Sequence, residues 1–334
     1  KMRKDMLDGK PLPSACERCV SKQQNNLNTM RTGLNSKWYD ETKDLIAKTA
    51  EDGTLSELQL KYWDFRFSNY CNLACTTCSP LFSTQWSKDF QKLHPGADKY
   101  SETQLIDLKE ANVFWEDIED NLETMKEIHF AGGEPLIMPE HWRILNMLDE
   151  RKKYDIALRY STNGTTLGQK KQNVMEMWKK FDYVHLSISI DGEGDAFEHI
   201  RYKGKWDQTL ANLKTIRASR AVDFWFHPTV SILNIFRLTE LHHELHINDL
   251  MPLESVHPLR GFHMENYWVD RFHINPLFTP EYYSITVLPE LLKEQAADKI
   301  TKYGKKLEAD TGIPFSGWQN IIDFMYQHDN SHLW

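Results

Sequence analysis

Every cysteine of this chain lies in one of two tight groups, and that clustering constrains the chain more than any other feature. Among 334 residues there are five cysteines: Cys16 and Cys19 form a C-x2-C, and Cys71, Cys75 and Cys78 form a C-x3-C-x2-C. An odd, low count in a long chain does not suit a disulfide framework. No secretory apolar segment opens the sequence, and no apolar run approaches the roughly 18 residues of a membrane span. The expectation is a soluble protein of a reducing cytoplasm that does not enter membranes. Lys and Arg total 40 against 48 Asp and Glu, a net charge of −8, which argues against a nucleic-acid binder working by bulk charge.

The triple group follows a strand signal. Trp63, Phe65 and Phe67 alternate with Asp64, Arg66 and Ser68, the period-2 pattern of a half-buried strand. The cysteines occupy the loop leaving that strand. Three thiolates so close together suit a soft metal centre. A closed zinc site needs a fourth protein ligand, for which the 14 histidines offer candidates. A [4Fe–4S] cluster can be held by three cysteines, with one iron left for an external ligand. Three reduced core cysteines are the plainer alternative.

Strand and helix signals then alternate. MKEIHFAGGEPLIM (125–138) is a strand ending in Gly132, Gly133, Glu134 and Pro135; glycines there let the backbone approach a ligand closely. IALRYSTNGTTL (156–167) ends in Thr162, Asn163 and Gly164, and YVHLSISIDGEGDAFEHIR (183–201) brings Ser189 and Asp191 to a strand end with Arg201 beyond. FWFHPTVSI (224–232) and LESVHPL (253–259) read as a fifth and a sixth strand. Helical spacing covers 102–125, 140–151, 168–180, 206–218 and 236–247. Six alternations predict an α/β fold, a partial (β/α)6 TIM-type barrel, whose function gathers at the carboxyl ends of its strands. All the motifs named fall there.

In this order the motifs resemble the radical S-adenosylmethionine (SAM) superfamily. The resemblance implies a [4Fe–4S] cluster on Cys71, Cys75 and Cys78. It implies SAM bound through Gly132, Gly133, Glu134, Pro135, Thr162, Asn163, Ser189 and Asp191, with Arg201 clamping the SAM carboxylate. It also implies an enzyme that cleaves SAM reductively to a 5′-deoxyadenosyl radical, using an electron donor such as flavodoxin or ferredoxin. The S-x-D-G…E-x-I-R segment is similar to the peptide-modifying branch, so a peptide or protein side chain is the first substrate reading. A sugar, nucleotide or other small molecule is the second, and a non-catalytic iron–sulfur or zinc protein the third. Thr77 departs from the bulky residue that often precedes the third cysteine.

The segment MRKDMLDGKPLPSACERC resembles the amino-terminal part of twitch-type (SPASM-like) members, where a second, auxiliary cluster is bound. Cys16 and Cys19 would be half of its ligand set, the remainder expected before Lys1. Residues 1–48 hold ten bases and six acids, opposite in sign to the whole chain. The expected division is 1–50 as a partial auxiliary-cluster segment, 58–262 as the barrel, and 263–334 as a helical carboxyl-terminal extension.

Two further patterns read as ordinary structure. Nine acids and two bases between 101 and 127 make one solvated helix face. His242-His243-Glu244-Leu245-His246 is not H-E-x-x-H, and these histidines are expected on the outer face of a helix or in packing.

Overall fold

The computed structural model describes residues 2–10, 14–17, 20, 29–56, 59–96, 111–169, 172–219, 221–251, 271–312, 318–327 and 329–334. The chain forms two compact units: Lys1–Lys61 with Asp120–Met125, and Tyr62–Glu119 with Lys126–Trp334.

In the first unit the main element is the helix Met30–Ala47. Its start is written locally. The Thr29 hydroxyl accepts from the Thr32 N–H (3.2 Å), and the Thr29 N–H donates to Thr32 Oγ1 (2.9 Å). This reciprocal cap satisfies two amides that have no helical partner.

The second unit is built on five parallel strands: β1 (Tyr62–Phe65), β2 (Glu127–Phe130), β3 (Ala157–Thr162), β4 (Val184–Ile188) and β5 (Asp223–Phe226), adjacent in chain order. The helices Asn112–Asn121, Pro139–Glu150, Val174–Trp178, Gly194–Ile200 and Trp206–Ser219 lie between them in sequence. This is the expected α/β architecture of a partial TIM-type barrel.

Register assigns the two faces of the sheet, because paired residues point the same way. Ile128, Leu158 and Val184 align, as do Phe65, Phe130, Tyr160, Leu186 and Phe224; all are buried. The opposite face aligns Asp64, His129, Arg159, His185 and Asp223, and one step on, Ser161, Ser187 and Trp225. One face is therefore apolar core, and the other carries mostly polar side chains, His185 and Asp223 among them buried.

The far edge differs from expectation. Segment 253–259, read as a sixth strand, lies outside the described residues, as does the 262/263 boundary. The position beside β5 is taken by Phe272, which bridges Phe226 in parallel. The Phe226 N–H donates to the Arg271 carbonyl (2.7 Å), and the His273 N–H to the Phe226 carbonyl (2.8 Å). Predicted helix 168–180 also resolves differently. Gly168–Gln169 pairs antiparallel with Gln172–Asn173, and the helix proper is Val174–Trp178, started by Asn173 Oδ1 accepting from the Met175 N–H.

The acidic helix behaves as read. Within Asn112–Asn121, Trp115 and Ile118 are buried while Glu116, Asp117, Glu119 and Asp120 are exposed; residues 101–110 of the predicted helix lie outside the described residues. His242 does not face outward. It is fully buried, 2.7 Å from the Tyr303 hydroxyl and edge-on to Trp318. Among the described residues no helix is long and apolar enough to cross a membrane.

Candidate functional site

The loop leaving β1 is held by long-range hydrogen bonds that sequence spacing could not reveal. Asn69 Nδ2 donates to the Pro80 carbonyl (2.7 Å), closing the loop's base. Gln85 Nε2 donates to the Cys71 carbonyl and Trp86 Nε1 to the Cys75 carbonyl, both at 3.0 Å. From the other side, the Ala74 and Thr76 N–H groups donate to the carbonyls of Tyr202 (3.0 Å) and Ile200 (2.8 Å). Backbone at both ends of the triple-cysteine motif is thereby fixed, and Cys71 is buried while Cys75 and Cys78 are half-buried.

The Gly-Gly turn after β2 packs on this same loop. The Gly133 N–H donates to the Ser68 carbonyl (3.1 Å), and the Glu134 N–H to the Tyr70 carbonyl (2.8 Å). A Cβ at Gly133 would sit 2.1 Å from the Tyr70 oxygen, and Gly132 has φ +113°. The chain's own cysteine loop thus comes into close contact with this turn.

That turn delivers Glu134 to the ends of β2 and β3, fully buried. Its Oε1 accepts from Thr162 Oγ1 (2.8 Å) and the Leu136 N–H (3.2 Å), and its Oε2 from the Asn163 N–H (2.8 Å). A carboxylate offers about four lone-pair sites. These three bonds leave one, on Oε2. Burial pushes the Glu134 carboxyl up to about 7, against the lowering effect of those hydrogen bonds. An acid raised on folding stabilises the native state below its unfolded value, and that stability is lost as pH rises through the folded value. Between 4.5 and about 7 the difference is worth roughly 3 kcal/mol at about 1.4 kcal/mol per pH unit. Denaturant unfolding of the metal-free protein should therefore show wild type losing stability relative to Glu134→Gln between pH 5 and pH 8. A constant difference across that range would contradict the burial argument.

Thr162 and Asn163 lie at the end of β3, beside Glu134. Asn163 Nδ2 lies 2.9 Å from Asn72 Oδ1 and 4.0 Å from Cys71 Sγ. Asn72, which sequence reasoning missed, also donates to Thr165 Oγ1 (2.8 Å). Asp191 is buried, and its Oδ2 lies 2.7 Å from Arg201 Nε while its Oδ1 accepts from the Thr229 N–H (2.8 Å). Arg201 Nη1 is 3.9 Å from Cys75 Sγ. Ser189 meets β3 through its backbone, its N–H donating to the Thr162 carbonyl (2.8 Å). Pro135 starts the short turn that follows Glu134 and is buried. Of the amino-terminal pair, Cys16 is half-buried in the first unit, and Cys19 lies outside the described residues.

Burial pushes the Cys71 thiol up to about 12 and the Cys78 thiol up to about 11. It also raises Cys75, against the opposing charge of Arg201. Thiols of this kind are protonated until a metal displaces the proton. Among the described residues, no three His, Cys, Asp or Glu side chains converge as the ligands of one ion. The donor set fits a cluster better. Each thiolate would meet a different iron, and Arg201 and Asn163 bring a cation and an amide toward two of the three sulfurs.

The chain is similar to proteins of known family. A family model described as the radical SAM superfamily matches residues 65–244. The GTP 3′,8-cyclase of Campylobacter lari is 26% identical over 132 residues, 40% of this chain and 35% of that protein. GTP 3′,8-cyclase 1 of Mycobacterium tuberculosis strain H37Rv is 24% identical over 194 residues, 56% of this chain and 48% of that protein. The chain thus spans between about a third and a half of these curated relatives' length. Among solved structures, SuiB of Streptococcus suis bound to S-adenosylmethionine aligns at TM-score 0.42 and 15% identity, covering 84% of this chain and 52% of that one. Histidine-tagged anSMEcpe with bound AdoMet aligns at TM-score 0.47 and 15% identity, covering 80% of this chain and 60% of that one. The family match takes in more than half of the 334 residues, including the cysteine loop, Glu134 and Arg201, and the chain belongs to the radical SAM superfamily.

Proposed function

We propose that this chain is the core of an enzyme that binds a [4Fe–4S] cluster through Cys71, Cys75 and Cys78, and SAM beside it, to begin radical chemistry on a peptide or protein side chain. The observation that carries this reading is the joint aim of Arg201 at Cys75 Sγ (3.9 Å) and Asn163 at Cys71 Sγ (4.0 Å), on a loop anchored at both ends. When bound, the reduced cluster supplies the electron that splits SAM into methionine and a 5′-deoxyadenosyl radical. The protein's own residues do the rest. Arg201 offsets the negative charge of the thiolates, and Asp191 fixes Arg201 in place (2.7 Å). The open lone pair on Glu134 Oε2 suits the ammonium group of SAM. The Gly132-Gly133 turn and Pro135 hold Glu134 at the strand ends, with Thr162, Asn163, Ser189 and Asp191 forming the rim.

The polar face of the sheet favours an uncharged substrate group. Arg66 is held by Asp64 (3.0 Å) and Arg159 by Glu127 (2.5 Å), so a polyphosphate would meet cations already neutralised. A nucleotide substrate is the second reading, favoured by the GTP cyclases among the relatives. Cys16 and Cys19 would serve as ligands of an auxiliary cluster of twitch type. Flavodoxin or ferredoxin is the electron donor. Residues 58–262 form the catalytic domain and 263–334 a covering extension.

Anaerobic loading with iron and sulfide tests the cluster. With Cys16 and Cys19 both changed to alanine, the chain should retain about four irons. Loss of all iron in that double variant would overturn the assignment.

A further inference from the structure

We propose that Asp64, His129 and Ser161 form a proton relay on the polar face of the sheet, serving an uncharged O–H or N–H group of the substrate. Its substrate role rests on the radical SAM reading above, but its geometry does not.

The relay follows from strand register. Asp64 on β1 is the direct partner of His129 on β2. His129 in turn is the partner of Arg159 on β3, and Ser161 is the next residue of β3 on the same face. An imidazole is long enough to reach that diagonal neighbour. His129 Nδ1 lies 3.2 Å from Asp64 Oδ2, and His129 Nε2 lies 3.1 Å from Ser161 Oγ.

The carboxylate assigns the proton on the ring. Burial pushes the Asp64 carboxyl up, but hydrogen bonds from Arg66 and His129 outweigh it and hold Asp64 below the usual carboxylate range. Arg66 grips both oxygens, Nε to Oδ1 at 3.0 Å and Nη2 to Oδ2 at 3.3 Å. An ionised Asp64 can only accept, so Nδ1–H donates to it and Nε2 is left to accept from the Ser161 hydroxyl. Carboxylate, imidazole and hydroxyl in this order allow a proton to leave Ser161 while Asp64 stabilises the imidazolium.

Position ties the relay to the site. Ser161 precedes Thr162, which bonds Glu134, and lies two residues before Asn163. At about 3.3 Å per residue, that is roughly 7 Å along the strand. The side chains of His129 and Asp64 are 18% and 26% exposed, covered enough to be held and open enough to be reached. In the step itself, the substrate proton passes to Ser161 Oγ as Ser161 passes its own to His129 Nε2. No electron moves, and no co-reactant is needed. Asp64 acts as the positioning residue.

Diisopropyl fluorophosphate tests the relay on the full chain, without cluster or SAM. Ser161 Oγ would attack phosphorus, fluoride would leave, and His129 would take the proton. The expected result is a single phosphoryl adduct mapped to Ser161. His129→Gln should slow labelling by roughly 100-fold or more, the scale of a lost general base. Asp64→Asn should slow it about 10-fold or more, and Asp64→Glu should recover part of that loss. Ser187→Ala, beside Ser161 in register, should leave the rate unchanged. Absence of an adduct at Ser161, or an unchanged rate in both His129→Gln and Asp64→Asn, overturns the proposal. Should His129→Gln fail to fold, the partly exposed Asp64 pair carries the same test. Labelling at Ser161 in a protein that never forms 5′-deoxyadenosine would sustain the relay and sink the radical reading. Deoxyadenosine formation without labelling would do the reverse.

Discussion

Cys75→Ala is expected to abolish SAM cleavage, while Cys16→Ala leaves cleavage intact. The Cys75 thiol lies 3.9 Å from Arg201 Nη1, and its carbonyl holds Trp86 Nε1 at 3.0 Å. On the proposed assignment, removing it takes away one of three cluster ligands. It also leaves the Arg201–Asp191 pair facing a gap. The loss of 5′-deoxyadenosine formation should exceed the roughly 10- to 100-fold cost typical of a residue that merely supports a metal ligand. Chromatography of the reaction products reads this directly. Abolition by Cys16→Ala alone would show that the cysteines are divided wrongly between the two groups.

Gly133→Ala is expected to be nearly as damaging without touching any ligand. An added methyl would sit 2.1 Å from the Tyr70 oxygen and 2.5 Å from its carbonyl carbon. Both are backbone atoms, so no side chain can rotate away. The turn and the cysteine loop must separate, which breaks the Gly133 N–H bond to Ser68 and the Glu134 N–H bond to Tyr70. Overpacking of this kind costs about 1–3 kcal/mol or more. Its functional effect is larger, because Cys71 follows Tyr70 directly. Iron retained after anaerobic loading should fall well below wild type while far-UV circular dichroism stays near native. Wild-type loading in Gly133→Ala would show that the turn does not fix the loop.

Much of the barrel was legible because a strand's period of two leaves its mark wherever one face is buried. Trp63, Phe65 and Phe67 announced β1, and the ends of β2, β3 and β4 could be read from Gly132, Thr162 and Ser189. What escaped were bonds between residues far apart in sequence. Asn72, Gln85 and Trp86 lie in ordinary contexts, yet they fix the cysteine loop and the Asn163 amide. Gly133 was expected to let the backbone approach a ligand; the Tyr70 backbone that packs against it comes from a loop more than 60 residues earlier and leaves no mark in the local sequence. Arg201 was expected to clamp the SAM carboxylate, and the fold places it 3.9 Å from Cys75 Sγ. Its partner Asp191 was expected to face SAM, and only the fold brings the two within 2.7 Å. His242 was expected on the outer face of its helix or in packing, and packing is what the fold shows; the aromatic cluster that buries it comes from Phe272, Tyr303 and Trp318, beyond the barrel motifs. The polar row Asp64, His129 and Ser161 was invisible for a related reason, since parallel register alone aligns three separate strands.

This site is proposed to split SAM. The measurement that tests it most directly is anaerobic incubation of the iron-loaded chain with SAM and a strong reductant, followed by quantification of 5′-deoxyadenosine and methionine. Equal release of the two products, dependent on reductant and on Cys71, Cys75 and Cys78, is the predicted result. A chain holding about four irons that yields neither product would contradict it.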